Sequence, residues 1–181
     1  SFLAVVIGLV AGPVAKLLLM LIDFFTQLFF YGRLSFAPAT PVDHTLGGWV
    51  ILVPVAGGLI IGLMARWGAR AIRGHGIPEA MEQVLVNQSR IPARITFWKP
   101  LSSAVSIGTG GPFGAEGPII ATGCALGSLL GQLLHVTAIV RKTLLAAGAA
   151  SGLAAIFSAP LSAVLLAVVL FFFYFMVRSI V

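Results

Sequence analysis

Long apolar runs broken by short polar stretches dominate the chain, and they set the elements to expect. One predominantly apolar run extends from Phe2 to Phe30 and a second from Gly48 to Trp67. Each suits a helix of roughly 17–25 residues, the length that crosses a bilayer. A basic, polar connection follows, within which Pro78–Val86 reads as a short amphipathic piece. Beyond it the pattern predicts a third helix near Ile95–Ile107 and a fourth that starts around Ala115–Gly117 and runs to Leu134. Two more are expected over Arg141–Phe157 and Leu161–Met176. Pro112, Pro118 and Pro160 fall at starts or breaks, where a missing N–H is tolerated. The period-2 alternation that a barrel requires is missing from the sequence. The expected fold class is all-α, an integral membrane protein with interrupted and re-entrant helices.

Composition agrees with a lipid solvent. The chain has 181 residues, 59% of them hydrophobic and 9% charged, with a mean hydropathy of +1.09. Soluble domains carry about 25% charged residues, so an aqueous globular fold is excluded as a working reading. The stretch from Ser1 to Tyr31 is too long and too apolar for a signal peptide and lacks a basic start. It opens in mid-run without Met, so the native chain is expected to begin earlier. The single Cys124 excludes a disulfide framework.

A net charge of +6 could point to nucleic acid, but its distribution argues against that partner. Arg66, Arg70, Arg73, Arg90, Arg94 and Lys99 gather in the connection between the second and third apolar regions. Aromatic residues do not interleave with them as in a single-strand binding groove, apart from Trp67. The positive-inside rule instead places this connection in the cytoplasm, and the loop from Tyr31 to Gly48 outside. A multi-pass protein of the plasma or inner membrane, with the bilayer as its surroundings, is the expectation.

The sharpest chemistry sits where acid is scarcest. After Glu82 the only carboxylate is Glu116, set in the Gly-rich, Pro-broken stretch from Gly108 to Pro118. A charge near the bilayer centre costs roughly 2.5–3.5 kcal/mol on insertion scales, so it is seldom placed there without a role. Gly114-Ala115-Glu116-Gly117-Pro118 is a glycine turn that opens a helix, and so is Gly74-His75-Gly76-Ile77-Pro78-Glu79. Each leaves backbone N–H groups unpaired at a helix N-terminus, where the dipole adds positive potential. Such ends bind anions, and half-helix N-termini recur in transporters for that purpose. Two of them favour an anion over a cation. Groups of His, Cys or acid at metal-ligand spacing do not occur, and no cofactor is expected.

These segments also carry a family resemblance. Gly74–Glu79 resembles the GSGIPE motif of CLC chloride channels and chloride/proton antiporters, and Gly114–Pro118 resembles their G(K/R)EGP motif. Ala147 to Leu161 resembles the family segment reading roughly AAxGLAAxFxAPL. Three motifs in family order are far more specific than one. The resemblance implies a single transmembrane domain over residues 1–181 that corresponds to the first half of an inverted-repeat CLC-type architecture. The second repeat, with its GxFxP motif and its anion-lining tyrosine, has no counterpart among these residues. By resemblance, Glu116 takes the place of the gating glutamate, whose carboxylate competes with the anion and swings away when protonated. Gly114, Ala115, Glu116 and Gly117 would face the outer anion, and Gly74, His75 and Gly76 the inner one. The resemblance further implies chloride as the transported ligand and a homodimer with one pathway per subunit.

The chain departs from the family pattern at three places. His75 stands where a serine is usual, and a charged imidazole would hold anions more strongly. Ala115 replaces the usual Lys or Arg. Val169 and Leu170 occupy positions near which antiporters often carry an acid for the inner proton path. The function expected is therefore transport of chloride or a similar small anion, Glu-gated and channel-like, with no enzymatic chemistry. An anion/proton antiporter is the alternative within the class, and a non-conducting structural or assembly half-unit the alternative outside it.

Plainer roles suit the remaining features. Gly123, Gly127 and Gly131 form a G-xxx-G-xxx-G series that lets helices pack closely. The glycines at 108–114 are not a nucleotide loop, since no strand precedes them and no Gly-Lys-Ser/Thr follows. His44 and His135 read as loop and interface residues, and Lys16, Asp23 and Arg141 as helix-end or snorkelling charges. Trp49, Trp67 and Trp98 fit interfacial anchors, and the aromatic run from Phe171 to Phe175 a lipid-facing or subunit surface.

Overall fold

A computed structural model describes residues 2–68, 90–166 and 168–169 of the chain. Its described part is all-α, with five helices: α1 (Phe2–Thr26), α2 (Leu52–Trp67), α3 (Ala93–Gly108), α4 (Glu116–Leu133) and α5 (Ala138–Phe157). Residues 160–166 are helical as well. Among the described residues, three stretches are long and apolar enough to cross a membrane: Val5–Tyr31, Gly47–Trp67 and Ala138–Phe157. The expected piece at Pro78–Val86 and half of Leu161–Met176 lie outside the described residues.

Two of the spans are composite helices. α1 passes into a π turn, Gln27–Tyr31, which ends on Gly32 at φ 63°. A π turn inserts one residue per turn and rotates the side chains that follow it. α2 is preceded by a 3₁₀ turn, Gly47–Ile51. The loop between them is tied back to the end of α1. Tyr31 donates its hydroxyl to the Thr40 carbonyl at 2.6 Å, and the Ala39 amide donates to Asp23 Oδ1 at 3.5 Å. Asp23, expected as a helix-end charge, thus also holds this loop.

Glycine contacts fix how the helices run. Gly57 of α2 faces the Thr109 side chain just past α3, and Gly68 lies against the Trp98 ring near the start of α3. The two helices are therefore antiparallel, with Arg66 and Arg94 at the same end. Trp98 is half-buried in this contact rather than a free interfacial anchor, whereas Trp49 and Trp67 are exposed. At the far end of α3, Gly108 packs on the α1 backbone at Ile22 and Thr26.

The tightest pairing is α4 on α5. Gly123 meets Gly148, Gly127 meets Leu144 and Leu145, Gly131 meets Arg141, and Gly152 meets Ile119. Pair sums stay nearly constant, so the helices are antiparallel with a bare-backbone seam. A Cβ at Gly123 or Gly148 would fall on the other's carbonyl oxygen. The glycine series expected to permit close packing does so, against a second pair, Gly148 and Gly152, on α5. α4 is the most enclosed helix: residues 119–125 are all buried, with Cys124 at 0% exposure. A core of Leu18, Ala104, Ile119, Cys124, Leu145, Leu153 and neighbours joins α1, α3, α4 and α5.

Arg141, expected as a helix-end or snorkelling charge, does lie in the first turn of α5 but does not reach the surface. It is buried, and its Nη2 donates to the Val136 carbonyl at 3.1 Å, which closes the turn between α4 and α5. That turn is a Schellman cap. His135 takes φ 50°, its amide donates to the Gln132 carbonyl, and the Val136 amide donates to that of Gly131. α5 ends on Ser158 at φ 52°, with Pro160 two residues on. The expected break at Pro160 is therefore present.

Candidate functional site

The Glu116 segment is built by the way α3 stops. Residues beyond Gly108 cannot continue the helix, because Pro112 would leave a carbonyl unpaired and clash with it. Instead the chain closes a Schellman cap. The Gly110 amide donates to the Ile107 carbonyl and the Gly111 amide to that of Ser106, both at 2.9 Å. Gly110 occupies the left-handed position at φ 86°. Thr109 caps the same end through its side chain, donating to the Val105 carbonyl at 2.8 Å. The Phe113 amide then donates to the Gly111 carbonyl at 2.8 Å, which folds the loop back toward α4.

Helix α4 begins at Glu116 with Ala115 as N-cap, and no side chain caps it. The Ile119 amide is paired with the Ala115 carbonyl at 3.1 Å. Pro118, in the first turn, has no N–H to pair. Among the described residues the amides of Ala115, Glu116 and Gly117 find no backbone partner, so they are available to a ligand at the positive end of the helix. The Glu116 side chain sits at the first helical position, and both it and Gly114 are exposed on the chain's surface. The four sequence-predicted residues of this segment thus lie together on one turn.

Three neighbours hold the loop. Gly57 of α2 makes room for Thr109, Phe25 of α1 contacts Gly108, and the Phe30 ring lies against Gly110. Sequence reasoning missed Phe30 and Thr109, whose roles come from contacts far apart in the chain. The left-handed glycine was visible only as one of several in a glycine-rich run. Gly74, His75 and Gly76, the other predicted segment, lie outside the described residues. A group of three or more His, Cys, Asp or Glu able to hold a metal does not occur among the described residues.

Comparison with known proteins adds identity to this geometry. A ClcB-like protein of Ralstonia nicotianae that carries a chloride-channel name is 35% identical over 103 residues, 55% of this chain and 24% of its own length. Chloride channel protein CLC-f of Arabidopsis thaliana is 30% identical over 107 residues, 55% of this chain and 12% of its own. The chain therefore spans a quarter or less of these curated relatives. No solved structure matches it significantly. The sequence model of the family described as voltage gated chloride channel matches residues 57–181, which include α3, the Glu116 turn, α4 and α5. With well over half of its length matched, the chain belongs to the voltage gated chloride channel family.

Proposed function

We propose that the protein transports chloride or a similar small anion across a membrane, and that the Glu116 turn forms the outer, gated part of its pathway. The observation that carries this reading is the uncapped N-terminus of α4. Its unpaired amides stand beside the only carboxylate of the second half of the chain. Amides at such an end replace part of an anion's hydration shell without burying a full cation, and the helix end as a whole favours a negative charge by about 0.3–1 kcal/mol. Glu116 supplies a carboxylate that competes for the same amides. When it is protonated, or displaced by an incoming anion, the site opens. Ala115 leaves the site less positive than the Lys or Arg usual in the family, so anion binding there rests on backbone dipoles.

The inner site is assigned to Gly74, His75 and Gly76 on the strength of the sequence motif. Two copies of the chain, each with its own pathway, form the expected assembly. Channel-like conduction is preferred to antiport because no Asp or Glu follows Glu116 within these 181 residues, and the exposed Val169 is apolar.

Chloride efflux from liposomes loaded with the purified protein, measured with and without a pH gradient, tests the proposal. Passive efflux that dissipates its gradient without moving protons supports the channel. Efflux locked to proton movement supports the antiporter, and none supports an inert half-unit.

A further inference from the structure

The ring of Phe30 joins two parts of the molecule that the proposed gate does not account for. Phe30 is presented by the π turn after α1 and is buried. On Gly110, a Cβ would lie 3.2 Å from the Phe30 Cζ, so ring and turn are in contact. The same ring meets the imidazole of His44, with centroids 6.0 Å apart and planes inclined by 33°. His44 closes the 3₁₀ turn Pro41–Asp43, and its buried Nδ1 has no hydrogen-bond partner among the described residues. The chain of contact is thus His44, Phe30, Gly110 and the loop that carries Glu116.

We propose that His44 is a positioning residue for the Glu116 loop and makes that loop respond to protons on the side of the membrane where the 32–46 loop lies. In a neutral imidazole the unpaired Nδ1 is an idle acceptor, which is tolerated at little cost. In the imidazolium both ring nitrogens are donors, and Nδ1 then becomes a buried charged donor with no acceptor. Attraction of the cation to the Phe30 face offsets little of this, because 6.0 Å is the outer limit of that interaction. Protonation therefore expels the ring toward water. Phe30 loses its neighbour, the Gly110 turn loses its backing, and Glu116 is held less firmly.

The charged groups near His44 do not hold it in place. Asp43 precedes it in the chain, Asp23 of α1 accepts the Ala39 amide, and Arg33 follows the π turn. Among the described residues none of the three forms an ion pair with it. The two acids give an expelled imidazolium acceptors at the loop surface. The effect on transport rests on the proposed role of Glu116, whereas the contact through Phe30 does not.

The test has a structural and a functional arm. In the first, an environment-sensitive fluorophore is attached to Phe113→Cys, an exposed site in the loop, and Cys124 is buried beyond its reach. Acidification on the 32–46 side is expected to shift the emission. The shift should persist with Glu116→Gln, disappear with His44→Gln and weaken with Phe30→Leu. In the second, chloride efflux by the Glu116→Gln protein should keep a residual response to pH on that side, lost when His44→Gln is added. An emission shift that survives His44→Gln, or none in the unsubstituted protein, overturns the proposal. A His44-dependent shift in a protein whose efflux ignores Glu116→Gln upholds the coupling and overturns the gating role of Glu116 alone.

Discussion

Gly110 shows how one backbone position shapes the candidate site. Its φ of 86° completes the cap that ends α3, and its missing side chain admits Phe30. A non-glycine residue in the left-handed region costs about 1–2 kcal/mol, and here a methyl group would also press on the ring. Gly110→Ala is expected to lower stability by about that amount and to speed anion efflux by loosening the loop. Thermal unfolding in detergent together with liposome efflux checks both. Unchanged values in both would show that the cap does not hold the site. At this scale the sequence was informative where chemistry was scarce. Glu116 stood out as a lone acid after a glycine turn, and the helix expected to start around Ala115–Gly117 begins at it. Arg141 and Trp98 were read from residue type alone, as a helix-end or snorkelling charge and an interfacial anchor. Both are instead packed into helix contacts that no local pattern reveals.

The α4–α5 pair is the element on which the site stands, since it anchors the helix whose N-terminus faces the proposed anion. Its seam is backbone on backbone. A methyl group at Gly148 would meet the Gly123 carbonyl, a rigid neighbour that cannot rotate away. Gly148→Ala should therefore destabilise the protein by about 1–3 kcal/mol, the usual cost of overpacking. Gly58→Ala in α2, where nothing lies within 4 Å, should be neutral or gain up to about 1 kcal/mol from helix propensity. Thermal unfolding of the two variants side by side distinguishes them, and equal shifts would refute the seam. The glycine spacing made the packing role of α4 legible, because three glycines four residues apart share one helix face. Helix limits were legible in part. α5 starts at Ala138 rather than Arg141, whereas α4 ends at Leu133, one residue short of the expected Leu134, and His135 beyond it takes the left-handed cap position without a glycine.

At the scale of the whole molecule, the antiparallel α2 and α3 bring Arg66 and Arg94 to one end and leave the loop with Asp43 at the other. This is the asymmetry from which the positive-inside rule takes its orientation. Membrane character and all-α architecture were legible from composition and run length, because bilayer solvation leaves few alternatives. The order of packing around α4 was not, since it depends on contacts between distant segments. A proton route through the bilayer needs titratable groups at intervals, and an unpaired charge there is costly enough to be conspicuous in a sequence. Neither Asp nor Glu follows Glu116 within these 181 residues, so an outward chloride gradient should not drive protons uphill, with the potential clamped by potassium and valinomycin. Sustained proton movement at a fixed anion-to-proton ratio would restore the antiporter. The most direct test of the central claim is the effect of Glu116→Gln on chloride efflux from liposomes, followed as pH is varied on each side. The substitution removes the competing carboxylate and keeps the turn. Efflux is expected to rise and to lose most of its pH dependence, whereas efflux and pH response identical to those of the unsubstituted protein would remove Glu116 from the pathway.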